Sequence, residues 1–336
     1  MLNYKDIRRV HLEISTRCNA ACPECPRNFR GVDIVDTYPI CDMSLAQAQQ
    51  IFTVAFLQQL DQILINGNYG DFITAHDGLE IVEYFLTVNP NIKIIISTNA
   101  SGRPHIWTRL AELGVEVHFR LDGLADTHHL YRQYTKFDLI IENAQKFIAA
   151  GGNATWAMIK FKHNTHQIEA CRSLANELGF KKFDFVDAGR DTTVVFDRDK
   201  KFSHTIGDYT GSRDYDLLYT QYRQYISDPM LTFSKIKIQE KSIDCYSKKN
   251  KEIYISANGE VYPCCWLGFY PLGSQGSPSM FQLKPLVKQN NALEYEIEET
   301  IKWFNSIEEG WNKTVPNGKI HTCNETCGTT KSQEQQ

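Results

Sequence analysis

The order of secondary-structure signals constrains this 336-residue chain more than any other feature. Strand-like stretches are expected at 10–15, 62–66, 92–97, 115–121, 154–161 and 183–186. Helix-like periodicity falls between them, at 44–60, 77–86, 106–113, 139–150 and 167–178. Ser44 suits an N-cap, and Gly114, Gly151 and Gly179 suit the left-handed position that closes a helix. Single helical crossovers between strands predict a parallel sheet of α/β class. Six units are too few to close an eightfold barrel, so the expectation is a partial (β/α)6 TIM-type barrel. Chemistry in such barrels sits at the carboxyl ends of the strands.

Beyond residue 188 the alternation weakens. We expect a bridging region over 189–241 with one helix at 215–226. Strands at 252–256 and 260–262 flank Asn258-Gly259, a strong hairpin signal. A loop is expected at 273–278, a helix at 293–303, and a disordered polar tail at 331–336. The domain expectation is therefore a barrel core over 1–188, a bridge over 189–241, and a small α+β domain over 242–330. The chain carries 36 Lys+Arg against 40 Asp+Glu, for a net charge of −4. That balance gives no evidence for a nucleic-acid partner. No apolar run approaches the roughly 18 residues that span a bilayer, so no membrane association is expected. The opening residues Met1-Leu2-Asn3-Tyr4-Lys5-Asp6 lack the apolar stretch of a secretory signal. A cytoplasmic location is the expectation.

Ten cysteines are many for a chain in a reducing compartment, where clustered thiols mean metal or catalysis more often than disulfides. Cys18, Cys22 and Cys25 follow the first strand with spacing C-x3-C-x2-C. Three thiolates on one tight loop can hold three irons of a [4Fe–4S] cube and leave the fourth open. A zinc site, or a triplet completed by a distant residue, is the alternative. Cys245, Cys264, Cys265, Cys323 and Cys327 form a second group in the last third. Cys171 lies on a helix and reads as a small core residue. Cys41 lies in a loop near the first motif, with no role evident from its position.

The triplet after the first strand of a (β/α)6 barrel resembles the radical S-adenosylmethionine (SAM) superfamily, and the likeness extends over most of the chain. Where that family has a Gly-Gly-Glu-Pro turn meeting the methionine amino group, this chain has Tyr69-Gly70-Asp71-Phe72. Three of those four residues differ from the family's, and Asp71 retains an acceptor. Ser97-Thr98-Asn99 is similar to the turn whose hydroxyl and amide bond ribose or carboxylate. Leu121-Asp122-Gly123 resembles the common Ser-Leu-Asp-Gly, with Arg120 in place of the serine that often contacts SAM. Arg120 could then grip the SAM carboxylate or an acidic substrate. Arg132 stands where the family often has an arginine, with a surface salt bridge as its alternative. Lys162-His163-Asn164 follows the fifth strand, where family backbone often contacts adenine.

The resemblance implies reductive cleavage of SAM at the cluster, giving a 5′-deoxyadenosyl radical that abstracts hydrogen from substrate. It implies an electron donor such as flavodoxin or ferredoxin, and a peptide or small-molecule substrate. Cys245, then thirteen residues to Gly259, then Cys264, then Cys323-x3-Cys327, resembles the auxiliary-cluster domains called SPASM and twitch. The likeness implies a further [4Fe–4S] cluster on Cys245, Cys264, Cys323 and Cys327, with the shorter twitch form fitting better. Cys265 could replace Cys264, and a four-thiolate zinc site is the alternative for the set. The first strand is reached within ten residues, so no separate N-terminal peptide-recognition domain is expected, which weakens a leader-dependent peptide reading without excluding peptides. The 29–41 loop could cover the substrate, and Arg30, Arg120 and Arg190 could converge on an anion. A non-enzymatic cysteine-rich metal-binding scaffold is the competing reading.

Overall fold

The computed structural model describes residues 2–34, 39–187, 193–208, 214, 238–273 and 278–329. All six expected strands are present: β1 (Arg9–Leu12), β2 (Gln62–Ile65), β3 (Lys93–Thr98), β4 (Glu116–Arg120), β5 (Asn153–Lys160) and β6 (Lys182–Asp187). They pair in chain order and in parallel, the topology that helical crossovers produce. Val10, Ile63 and Ile94 stand in register, as do Leu12, Ile65 and Ile96. These residues are all at most 3% exposed, so a one-residue slip of any strand would turn an apolar row towards polar surroundings.

The crossover helices follow their local signals. Ser44 forms a capping box with Gln47. The expected 44–60 helix divides into Leu45–Ile51 and Val54–Gln59, because Phe52 leaves helical geometry and Thr53 caps a new start. Gly114, Gly151 and Gly179 close their helices at φ +71°, +87° and +85°, where a side chain would be strained. The helix expected over 293–303 is reduced to Ile297–Thr300, followed by a separate helix, Phe304–Gly310. The expected 273–278 loop is partly overtaken by the helix Cys265–Gly273. The expected 215–226 helix and the 331–336 tail lie outside the described residues.

The C-terminal hairpin does not stand apart from the barrel. β7 (Glu252–Ile255) pairs in parallel with β1, and β8 (Val261–Tyr262) returns antiparallel beside it. The sheet therefore has eight strands, in the order β8-β7-β1-β2-β3-β4-β5-β6. The Asn258-Gly259 turn is where expected, with Gly259 at φ +86°. β7 supplies Ile253, Tyr254 and Ile255, all fully buried, to the otherwise open edge of β1. One apolar core runs from Phe52, Trp107 and Trp156 through to Trp303, Phe304 and Ile307. Among the described residues no helix is long and apolar enough to cross a membrane.

Candidate active site

The carboxyl ends of β1–β5 enclose a cavity of about 360 Å3. Cys18, Cys22 and Cys25 line it, brought together by the loop leaving β1, in which the Cys25 amide donates to the Cys22 carbonyl at 2.9 Å. Gly70, Asp71, Ser97, Asn99, Arg120 and Arg132 line the same cavity. The triplet cysteines and these six residues therefore meet at one place.

Cys22 is buried and Cys18 and Cys25 are partly buried, and their environment favours the neutral form. Burial raises the Cys25 pKa to about 12, with Cys22 adding to it. Cys18 is pushed up by burial and then by Asp71, and Cys22 chiefly by burial. Polar hydrogens nevertheless reach the sulfurs. Asn99 Nδ2 lies 3.6 Å from Cys18 Sγ, and Arg132 Nη1 lies 3.9 Å from Cys22 Sγ. Three soft donors on one cavity wall, whose ionisation is opposed chiefly by burial, fit a thiophilic iron cluster that would bring positive charge to them.

Arg132 is not a surface residue. Its Nε donates to Asp122 Oδ2 at 2.6 Å, and the Asp122 side chain is wholly buried. Burial opposes the Arg132 charge, but Asp122 and then Cys22 outweigh it, so its pKa is raised. Asp122 Oδ1 also accepts from the Ile159 amide at 2.6 Å, which ties β4 to β5. Asp71 is equally committed: its carboxylate accepts from Thr98 Oγ1, from the Asn99 amide at 2.7 Å and from the Ile73 amide at 3.2 Å. It braces the end of β3 against the glycine turn.

Two site residues escaped the sequence reading. Glu13 is 1% exposed and accepts from the Tyr69 and Gly70 amides at 2.8 and 2.9 Å, and from Tyr254 Oη at 2.6 Å. It holds the glycine turn and binds the C-terminal hairpin to the barrel. A Cβ on Gly70 would lie 1.8 Å from the Ser15 carbonyl oxygen, so only glycine allows the turn to sit there. His11 is 5% exposed, contacts the Asn66 carbonyl through Nε2 at 2.7 Å, and is pushed down to about 4 by burial. The available signal was the alternation itself: in Val10-His11-Leu12-Glu13-Ile14, the two polar residues share the face opposite the apolar three.

Other expectations divide. Arg30 pairs with Glu24 and Thr193 Oγ1 and does not line the cavity, so it does not converge with Arg120. Arg190 lies outside the described residues. Asn164 staples the turn after β5, with Oδ1 accepting from the Phe161 amide at 2.8 Å. Both ring nitrogens of His163 are buried without a partner among the described residues. Cys171 is fully buried on its helix. Cys41 is half-buried, its sulfur 3.9 Å from Thr16 Oγ1.

A second cavity, of about 440 Å3, adjoins the first and is lined by Cys245, Cys264, Cys265, Cys323 and Cys327. Pairing of Ser242–Ile243 with Gly328–Thr329 brings Cys245 to Cys327. Interaction between those two thiols holds the Cys245 proton more tightly and the Cys327 proton less tightly. Burial pushes Cys323 up to about 12 and Cys265 up to about 11. Cys264 lines this cavity alone, whereas His11, Cys265 and Trp266 line both. Among the described residues no three His, Cys, Asp or Glu side chains converge on a single-ion position. A cube of four irons spreads its thiolates more widely than one tetrahedral zinc does.

No protein-family model and no curated protein matches the sequence. Solved structures do match. SuiB from Streptococcus suis bound to S-adenosylmethionine superposes with a TM-score of 0.54 at 15% identity, covering 87% of this chain and 65% of SuiB. The chain thus spans about two thirds of the length of SuiB. The protein anSMEcpe with bound AdoMet gives a TM-score of 0.54 at 14% identity, covering 88% of this chain and 77% of that one. Native anSMEcpe with AdoMet and the Cp18Cys peptide gives 0.51 at 15% identity, covering 95% and 88%. At these identities the likeness is one of fold: a partial barrel shared with these S-adenosylmethionine-bound structures.

Proposed function

We propose that this chain, sharing its fold with SAM-bound proteins, is a radical SAM enzyme with one auxiliary [4Fe–4S] cluster. One observation carries the reading: the C-x3-C-x2-C thiols share a cavity with the glycine turn and the polar ends of β3 and β4. Cys18, Cys22 and Cys25 would hold a [4Fe–4S] cluster that, when bound, supplies one electron to cleave SAM reductively. The chain's own residues do the rest. Gly70 and Asp71 shape the turn under the cofactor, and Ser97 and Asn99 offer a hydroxyl and an amide. Arg132, locked by Asp122, places a fixed positive charge beside Cys22. Tyr131, Ile159 and Phe269 on the cavity wall exclude water, which would otherwise compete with the substrate.

Cys245, Cys264, Cys323 and Cys327 would hold the auxiliary cluster, with Cys264 preferred because it faces that cavity alone. The barrel core over 1–188 and the cluster-binding region over 242–330 act together, since β7 joins the barrel sheet. Flavodoxin or ferredoxin would supply the electron. The substrate is a peptide or a small molecule; the peptide bound to anSMEcpe supports the former. Anaerobic reconstitution, then dithionite and SAM with an assay for 5′-deoxyadenosine, tests the proposal. Formation of 5′-deoxyadenosine is the expected result. Zinc in place of iron, with intact SAM, would leave the metal-binding scaffold as the reading.

A further inference from the structure

The barrel cavity is polarised across the sheet. Its charged side chains gather on the β3–β4 side: Arg120, Arg132 held by Asp122, and Asp71 held by Thr98 and the Asn99 amide. The opposite side is built by β1, the loop after β2 and the helix Cys265–Gly273. Among the described residues that side lines the cavity with no charged group; His11, Tyr69, Trp266 and Phe269 dominate it.

The aromatic part is rigid. Trp266 and Phe269, three residues apart, share one face of their helix. Tyr69 stacks on Phe269 with centroids 5.5 Å and planes 12° apart, and its Oη donates to the Phe269 carbonyl. Asn68 Nδ2 donates to the Cys265 carbonyl at 2.8 Å, and a Cβ on Gly268 would lie 2.4 Å from the Tyr254 ring. The helix is thus pinned to the barrel, yet Trp266 is 48% exposed while lining both cavities. A large ring left open on a pinned wall is a platform for a flat apolar group.

His11 adds one polar demand. Its Nε2 lies 2.7 Å from the Asn66 carbonyl, which only accepts, so Nε2 carries the ring hydrogen. Burial keeps the ring neutral. Nδ1 is then a lone-pair acceptor, with no hydrogen-bond partner among the described residues. Tyr254 packs against the imidazole at 5.3 Å with planes 79° apart, which fixes its orientation. A group that fits this side is uncharged and aromatic and carries one N–H or O–H; a charged group would be stranded there.

We propose that the His11–Trp266 side of the barrel cavity is the substrate subsite and takes a phenol or an indole, with His11 Nδ1 accepting its hydrogen bond. Calling the ligand a substrate rests on the radical SAM reading; its chemistry rests on the cavity alone. The test is equilibrium dialysis of full-length, cluster-loaded protein without reductant, with and without SAM. The first probes are N-acetyltyrosinamide and N-acetyltryptophanamide, with N-acetylphenylalaninamide as the ring lacking a donor and N-acetyllysinamide as the charged control. At least one donor probe should bind about threefold to tenfold tighter than the phenylalanine probe, the gain from one hydrogen bond. The lysine probe should not bind. Free tyrosine and tryptophan form the second arm: tighter binding of the amides points to a residue within a peptide, tighter binding of the free forms to an amino acid. His11→Leu should erase the donor preference, and His11→Gln, which keeps an acceptor, should restore part of it, separating recognition from misfolding. Trp266→Ala, at an exposed position, should weaken every aromatic probe by about threefold to tenfold. Failure of both donor probes to bind, equal binding of the phenylalanine probe by the parent, or a donor preference that survives His11→Leu would overturn the proposal. Parent protein that binds a donor probe but no SAM would instead overturn the radical SAM reading and leave the subsite's chemistry standing.

Discussion

The barrel cavity surrounds three thiols with charge and polar ends: Arg120, Arg132, Asp71, Ser97 and Asn99. Its neighbour surrounds five thiols mainly with Ile243, Trp266, Leu267, Ile307 and Trp311. Among the described residues, the one carboxylate lining that second cavity, Glu252, is pushed towards its neutral form by burial. On the proposed reading the contrast separates two tasks. A site that admits a zwitterionic molecule and leaves one iron open needs fixed charges to bind and orient it. A site that completes its cluster from protein thiols needs only burial and the thiols themselves. His11, Cys265 and Trp266 form the wall between them, so each cavity is shaped partly by the other.

The largest effect expected is on the barrel thiols. Changing Cys18, Cys22 and Cys25 together to Ala should lower the iron of reconstituted protein from about eight atoms to about four and abolish SAM cleavage. Iron analysis and a 5′-deoxyadenosine assay check both. If cleavage survives, the division of labour between the cavities is wrong.

Cys245→Ala or Cys323→Ala should also remove about half the iron, four atoms of about eight, yet leave some uncoupled SAM cleavage. In the same series, Cys264→Ala should lose that iron and Cys265→Ala should keep it. The reverse pattern would move the ligand to the shared wall.

A third experiment compares the charged cavity with itself. Arg132→Ala strands Asp122 as a buried, uncompensated carboxylate, at a cost of about 3–5 kcal/mol in denaturant unfolding of the metal-free protein. Adding Asp122→Asn should recover part of that loss. A single variant as stable as the parent would mean that water reaches the pair.

The smallest effect is a pH slope. Burial raises the Glu13 pKa from its ordinary 4.5 to about 7. Folded protein then holds a proton that the unfolded chain releases between those values. Its contribution is full below the lower value and is lost as pH rises through the upper one. Glu13→Gln removes this term, so over that window the parent should lose up to about 3 kcal/mol more stability than the variant. His11 and His128, pushed down to about 4 by burial, run the other way, so the slope is read as a difference between thermal unfolding curves of parent and variant.

Local signals carried much of this protein. Alternating apolar residues, capping at Ser44 and the glycines after three helices act within a few residues, so the six strands and their parallel order were legible in the sequence. The cysteine spacing was legible for the same reason, since a short loop confines its ligands. Pairing of β7 with β1 was not legible, because any buried apolar strand can fill an open sheet edge and the choice is made by packing. Nor was the partnering of the charges. Arg120 and Arg132 are chemically identical in the sequence, and both were read as ligand-binding candidates. Only the folded chain sets Asp122 against one and leaves the other facing the cavity, because ion pairing depends on distances of a few ångströms between residues on separate strands and loops.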